Sequence, residues 1–358
     1  MSIAILGAGA AGLAAAHALA RPVTVFEKSR GVSGRAATRW RDATDAYGAP
    51  FRWRYDHGAQ YISPEAGSRA HRLLTDTLDA SGLVDLGGTV WPFDDDGTLR
   101  PDRARHDPGP RLTYTDGIST LGRRLLDAAP EATLVGQTRV ASMAREDGLW
   151  RLFDTDGADL GAFEQVLLTP PAPQIVGLLG ESEMDDALRQ RLVAALSAAE
   201  YRSQFTVVLA FPEGGPRPEP YALVNAAEHG ETGGGHAVAW LAVESDKPGR
   251  APEGATLLLA QMSPAWTEAH YDDAKADVVR EASGAIASLL GTDLPEPAWA
   301  DTQRWRYALP NAGADAEALA AASGEGLFFA GDAVAGKGRV HLALESGLEA
   351  ADRMRDEG

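Results

Sequence analysis

An α/β fold, in which a Rossmann-type dinucleotide-binding domain carries a second domain of mixed sheet plus helices, is what this sequence predicts. Three observations predict it. The chain opens on an apolar run, Ile3-Ala4-Ile5-Leu6, followed at once by Gly7-Ala8-Gly9-Ala10-Ala11-Gly12 and an alanine- and leucine-rich stretch to about Ala20. A second apolar run, Val23-Thr24-Val25-Phe26, ends on the acid Glu27. Near the other end, Gly326-Leu327-Phe328-Phe329-Ala330-Gly331-Asp332 reads as an apolar strand closing on Gly-Asp.

Each element has a physical task. Four consecutive apolar residues at 3–6 suit a strand buried on both faces of a parallel sheet. Gly7 permits the tight turn, and Gly9 lets the backbone approach a pyrophosphate. Ala11 lies in the same turn, and Gly12 lets helix and strand pack closely. The helix N-terminus offers unpaired N–H groups to phosphates. Glu27, 20 residues beyond Gly7, stands where a carboxylate accepts hydrogen bonds from adenosine ribose hydroxyls, which favours FAD or NAD over NADP. Lys28 follows it directly. Residues 133–140 and 149–153 read as strands of a β-meander, and 163–171 as a return to the sheet. Residues 205–211, 237–243 and 255–261 have the β-rich look of a mixed sheet, and 272–290 reads as an amphipathic helix. Residues 340–354, with Leu342, Leu344 and Leu348 beside the small Ala343, Ser346 and Gly347, suit a helix packed closely on a sheet. Proline and glycine clusters at 92–110 and 212–235 mark excursions rather than a linker. The nucleotide domain is therefore expected to be discontinuous, from 1–64, 112–176 and 322–358, with the substrate domain built from 65–111 and 177–321.

Composition narrows the functional classes. The 358 residues are 44% hydrophobic and 23% charged, which is ordinary for a globular protein. Lys and Arg number 33 against 51 Asp and Glu, a net charge of −18, which disfavours nucleic acid and anionic membrane surfaces as partners. Lysine is confined to Lys28, Lys247, Lys275 and Lys337; this arginine bias fits solubility in high salt and fits genome composition equally well. With no cysteine, disulfides, thiolate metal sites, Cys nucleophiles and sulfur-tethered cofactors are excluded. No apolar run reaches the ~20 residues of a membrane span, and Gly7, Gly9 and Gly12 interrupt what would otherwise resemble a secretion signal. A cytoplasmic protein is the expectation. Glu228, His229, Glu231 and His236 surround Gly233-Gly234-Gly235, a pattern read as a flexible loop rather than a metal site.

The run Glu27-Lys28-Ser29-Arg30-Gly31-Val32-Ser33-Gly34-Arg35-Ala36-Ala37-Thr38-Arg39 resembles the extended signature of glutathione-reductase-type flavoproteins, in the branch that holds the flavin amine oxidases. Tyr55-Asp56-His57-Gly58-Ala59-Gln60-Tyr61-Ile62 resembles the renalase family, as do residues 33–39, 169–174 and Arg304-Trp305-Arg306-Tyr307-Ala308. The likeness covers most of the chain and is weakest over 85–110 and 212–260. It implies a non-covalently held FAD. Arg35 would approach the pyrophosphate and Asp332 the ribityl or phosphate oxygens. The helix opening at Val340 would aim its N–H groups at the flavin pyrimidine, Val140 would hold adenine through its backbone, and Gln60 and Tyr61 would lie beside the ring.

The resemblance further implies an oxidase of isomeric (2- or 6-) dihydronicotinamide dinucleotides. Hydride would pass to flavin N5, and O2 would reoxidise the flavin to give NAD(P)+ and H2O2. Such chemistry asks for no acid–base dyad, and none is assigned. Trp240, Tyr307, Arg339 and His341 are the candidates for touching this small-molecule substrate. Ala36 stands where such chains often have Met, and Gly336-Lys337-Gly338-Arg339-Val340-His341 is unusually positive. Two other readings stay open. One is an amine oxidase or desaturase on the same fold, whose aromatic cage and flavin-side lysine are not evident in the sequence. The other is a non-catalytic binding protein like the Rab GDP-dissociation inhibitors, which need not keep Arg35 and Asp332.

Overall fold

Alternation along the first strands sets up three layers. In the computed structural model, which describes residues 2–104, 109–226 and 235–357, five parallel strands lie in the order Leu327–Phe329, Gln165–Leu168, Ile3–Leu6, Val23–Glu27, Ala132–Gly136. Ile3, Ile5, Val23 and Val25 face one core, with Leu13 and Leu19 of helix Ala10–Leu19, Leu121 and Leu125 of helix Thr120–Asp127, and Leu344 and Leu348 of helix Val340–Asp356. Ala4, Leu6 and Phe26 face the other, with Trp150 and Leu152 of the meander and with helices Ala172–Gly180 and Asp186–Ser197. Both faces are apolar because the side-chain period is two and both are covered.

The meander differs from its expected bounds. Residues 133–140 do not form one strand: Ala132–Gly136 joins the parallel sheet, Gln137 takes a left-handed φ of 55°, and the meander runs Val140–Glu146, Leu149–Asp154, Asp159–Phe163. A residue in that conformation ends a strand and redirects the chain. Asp332 opens a single helical turn, Asp332–Ala335, and the helix expected from 272 starts at Lys275.

A second, six-stranded sheet has the order Trp299–Pro310, Tyr201–Phe211, Thr256–Met262, Val238–Val243, Ala222–Asn225, Val90–Phe93, antiparallel except for its last pair. Val207, Leu209 and Phe211 face helix Lys275–Leu290, burying Val278, Ala282, Ile286 and Leu289. Val208, Ala210, Leu257 and Leu259 face the opposite way and bury Trp53 and Tyr55 of a hairpin, Thr38–Thr44 with Pro50–Asp56. That hairpin leaves the nucleotide-binding sheet after Arg35 and returns at Asp56, so it lashes the two sheets together. Glu228, His229, Glu231, Gly233 and Gly234 lie outside the described residues; among the described residues no cluster of metal-ligating side chains occurs, and no helix is long and apolar enough to cross a membrane.

Candidate functional site

The glycine-rich turn is shaped by contacts that only hydrogen side chains allow. Gly7 has φ +107°, and a methyl group on Gly12 would stand 2.1 Å from the Gly7 carbonyl oxygen. Around Gly9, which caps helix Ala10–Leu19, a methyl group would meet nothing within 4 Å. The turn thus packs tightly on one side and borders open space on the other, as a phosphate cradle must. The Glu27 carboxylate accepts hydrogen bonds from the N–H groups of Ala8 (2.9 Å) and Ser29 (2.8 Å), which ties the end of the second strand to the turn. Lys28 donates to the Gln174 side chain at 3.1 Å, and Val140 is half-buried at the start of its strand. Ala11 is buried; its carbonyl would lie 2.1 Å from a methyl group on Gly347, so the first and last helices meet backbone to backbone there.

The loop after Glu27 is laid back along this turn. Ser33 donates its N–H to the Ala8 carbonyl (2.8 Å), and its hydroxyl accepts from Gly122 N–H (2.8 Å). Arg35 is thereby delivered to Asp332, 297 residues away, as a bidentate pair at 2.6 and 2.7 Å. Tyr201 donates to the same carboxylate at 3.1 Å, and the carbonyls of Tyr307 and Ala308 accept from the guanidinium. Burial alone would lower the Arg35 pKa, but Asp332 outweighs it and raises it; the guanidinium stays charged. A fixed planar cation, a carboxylate, and the N-termini at Gly9 and Val340 are the donor and acceptor set that a dinucleotide's two phosphates and sugar hydroxyls require. The residues present fit FAD.

A second constellation lies where the hairpin re-enters, at Asp56–Tyr61. Three neighbouring strands of the second sheet present polar side chains to its backbone. Thr206 Oγ1 and Trp305 Nε1 both donate to the His57 carbonyl at 2.9 Å, and Gln261 Nε2 donates to the Gly58 carbonyl at 2.7 Å. Thr206 and Gln261 are direct cross-strand partners. Ala59 N–H donates to the Arg35 carbonyl at 3.0 Å, and a methyl group on Gly58 would stand 2.0 Å from that oxygen. This turn therefore sits against the Arg35 backbone.

Beneath it is a wholly buried charge quartet. Asp56 Oδ2 receives Lys247 Nζ at 3.0 Å and Arg250 Nη2 at 2.7 Å, while Glu244 lies 2.8 Å from Lys247 and 3.3 Å from Arg250, all four side chains with zero exposure. Asp56 Oδ1 accepts from Thr38 Oγ1 (2.6 Å) and Ile118 N–H (3.0 Å), and Asp56 N–H donates to Glu244 (2.8 Å). Burial would raise the Asp56 pKa, yet the two cations and these donors hold it below the usual range; burial raises that of Glu244. Breaking one such buried pair costs about 3–5 kcal/mol. Lys247 also reaches Gln60 Oε1 at 3.4 Å, and Gln60 Nε2 donates to the Asp56 and Gly58 carbonyls.

The candidate substrate residues divide. Trp240 packs on Tyr61, ring centroids 6.1 Å apart, and on Tyr221 at 6.4 Å, with Arg111 on the Tyr61 ring at 5.8 Å. Tyr307 belongs to the Arg35–Asp332 neighbourhood, 5.9 Å from Tyr201. Arg339 is exposed at the cap of the last helix, and His341, half-buried in its first turn, has its pKa lowered by burial and by Arg339. Among the described residues, no hydrogen bond, ion pair or ring contact joins these two to Trp240. His57 is held neutral: burial, then Arg39, push its pKa down to about 4, and its Nδ1 meets the Ala37 carbonyl at 2.9 Å.

Sequence reasoning missed Glu244, Lys247 and Arg250. Their spacing in Glu244-Ser-Asp-Lys-Pro-Gly-Arg250 has the look of a solvated turn. The one available signal was a lysine in a chain with four, three residues from an acid. Thr206 and Gln261 stand as polar breaks in otherwise apolar runs.

Comparison with known proteins adds the following. Residues 85–355 match the family of flavin containing amine oxidoreductases, and residues 5–77 match the NAD(P)-binding Rossmann-like domain. Similar folds include a protein described as a protoporphyrinogen oxidase from an Exiguobacterium species, with TM-score 0.74 and 17% identity over 100% of this chain and 99% of that one. A reduced UDP-galactopyranose mutase has TM-score 0.74 and 13% identity, over 100% of this chain and 96% of that one. Putrescine oxidase bound to putrescine has TM-score 0.70 and 14% identity, over 99% of each chain.

Proposed function

This chain belongs to the flavin-containing amine oxidoreductase family, and from that premise we propose that it is an FAD-dependent oxidase of isomeric (2- or 6-) dihydro-NAD(P). FAD, when bound, supplies the two-electron acceptor: the dihydropyridine gives up a hydride to become NAD(P)+, and O2 with one proton takes the electrons onward as H2O2. Everything else falls to the protein. Gly7 would shape the turn, Gly9, Gly12 and Val340 would line the phosphate and pyrimidine ends with backbone N–H groups, Glu27 would accept from the ribose, and Arg35 and Asp332 would take the pyrophosphate and ribityl groups. Gln60 and Tyr61 would face the ring, and the packed Tyr61–Trp240 pair would offer one aromatic wall to a planar substrate.

One observation supports this reading above the others. The acids and the imidazole packed against the Asp56–Tyr61 turn are committed: Asp56 and Glu244 are ion-paired with Lys247 and Arg250, and burial pushes the His57 pKa down to about 4. A turn so arranged suits hydride loss driven by aromatisation, in which no carbon or nitrogen of the substrate must surrender a proton. The second reading, oxidation of a primary amine, draws on the Tyr61–Trp240 aromatic pair and on the family's name.

Anaerobic mixing separates the two. The flavin absorbance is followed after addition of 6-dihydro-NAD, benzylamine or ordinary 4-dihydro-NADH. Rapid bleaching by the first alone is expected; bleaching by benzylamine alone overturns the proposal in favour of the amine reading.

A further inference from the structure

The sharpest feature outside the cofactor cradle is the link between the buried quartet and Gln60. Asp56 comes from the hairpin, whereas Glu244, Lys247 and Arg250 come from one turn following strand Val238–Val243 of the second sheet. Their charges sum to zero, and the carbonyls of Thr115 and Arg250 extend the lattice: Arg250 Nη1 donates to Thr115 O at 2.9 Å, and Arg54 N–H donates to Arg250 O at 2.9 Å. Above it, the turn is gripped on every side described: His57 by Thr206 and Trp305, Gly58 by Gln261, Ala59 by Arg35. Among the described hydrogen bonds, the quartet reaches the Gln60 side chain at both ends: the Asp56 carbonyl accepts from Nε2, and Lys247 Nζ donates to Oε1 at 3.4 Å.

We propose that Lys247 is a positioning residue: with the quartet as its anchor, it fixes the carboxamide of Gln60 and hence the face that the Gln60–Tyr61 turn offers to the flavin. The physical argument is one of donors and acceptors. The carbonyls of Asp56 and Gly58 can only accept, so they select Nε2. The ammonium of Lys247 can only donate, so it selects Oε1, and the flipped amide, with Nε2 on Nζ and Oε1 on two carbonyls, is excluded at both ends. A lone lysine could not do this while fully buried, because an uncompensated charge there is too costly to keep. Asp56 at 3.0 Å and Glu244 at 2.8 Å face Lys247, and Arg250 balances the second acid. The quartet joins the end of the hairpin to the turn after strand Val238–Val243, so it also couples the position of Asp56–Tyr61 to the second sheet. Glu244, the second acid, is what allows two cations to converge on Asp56.

The inference rests on the reading that Gln60 and Tyr61 face FAD, so its test avoids turnover. The probe is the midpoint potential and visible spectrum of the holoenzyme flavin, measured by dye equilibration without any nicotinamide substrate. The variants are Gln60→Leu, the charge-balanced pair Lys247→Met with Glu244→Gln, and all three substitutions together. Each of the first two is expected to retain FAD and to change the oxidised-to-reduced ratio at a fixed potential about tenfold, which is ~30 mV for a two-electron couple. The triple variant is expected to show no further change, since Lys247 acts through Gln60. An unshifted potential in the pair variant, or shifts that add in the triple, overturns the proposal. If the pair variant fails to fold, Gln60→Leu alone decides: a potential equal to the parent's overturns it as well. Failure of the dihydronicotinamide reading would appear separately, as a parent flavin that 6-dihydro-NAD leaves oxidised.

Discussion

Gly9→Ala and Gly12→Ala, three residues apart, separate room for a cofactor from packing of the fold. A methyl carbon on Gly12 would stand 2.1 Å from the Gly7 carbonyl oxygen and 3.1 Å from Ile5 Cγ2, and backbone cannot yield as a flexible side chain does. Overpacking of this kind costs about 1–3 kcal/mol, so Gly12→Ala is expected to lower the stability of the protein with or without FAD. Gly9 has φ −82° and ψ −175°, open to any L-residue, and its methyl group would meet nothing within 4 Å. Losing glycine at an N-cap costs up to about 1 kcal/mol, and a stiffer unfolded chain returns a similar amount. Without FAD, Gly9→Ala should therefore melt like the parent. With FAD, the methyl group stands where the diphosphate must come close to the helix N-terminus. One charge-assisted hydrogen bond lost is worth roughly 1.5–3 kcal/mol, which is about ten- to hundredfold in Kd. Flavin-fluorescence titration of deflavinated protein gives the affinities, and thermal melts of the same samples give the stabilities. A Gly9→Ala protein that binds FAD as tightly as the parent would refute the cradle assignment, and a Gly12→Ala protein that melts unchanged would refute the packing argument.

Arg35→Ala is expected to weaken FAD retention at least tenfold, and Arg35→Lys not to restore it, because a point charge cannot reproduce a two-pronged guanidinium; the flavin-to-protein absorbance ratio after gel filtration reads this, and full occupancy in Arg35→Ala contradicts it. His57 sets an acid limit. Its folded pKa of about 4 lies below its ordinary value near 6.5, so the unfolded chain binds the extra proton first. Its contribution to stability is complete above about pH 6.5 and is lost as pH falls towards 4, at most about 3 kcal/mol. Urea unfolding at pH 7 and pH 4.5 should show a smaller acid loss in His57→Phe than in the parent; equal losses would assign the acid sensitivity to other groups.

The nucleotide-binding half was legible because its determinants are local. A positive-φ glycine, a helix cap and a strand-terminal acid all act within 20 residues of one another along the chain, so their order in the sequence is already their geometry. The alternation of Ile3 and Ile5 against Ala4 and Leu6 likewise announces a strand covered on both sides. Resemblance carried Arg35, Asp332, Gln60 and Tyr61 onto the page, but not what they touch. The pairing of Arg35 with Asp332, separated by 297 residues, exists only because the last strand lies two places from the first in the parallel sheet. The meander's late start at Val140 turned on one left-handed residue that hydrophobic pattern cannot reveal. Glu244, Lys247 and Arg250 illustrate the general reason most clearly. Charges in a short proline- and glycine-containing segment look solvated, and whether water reaches them is decided by a distant hairpin that brings Asp56 to close the lattice. Side-chain identity sets what a group can bond to; only the packed chain determines whether its partner is water or another buried charge.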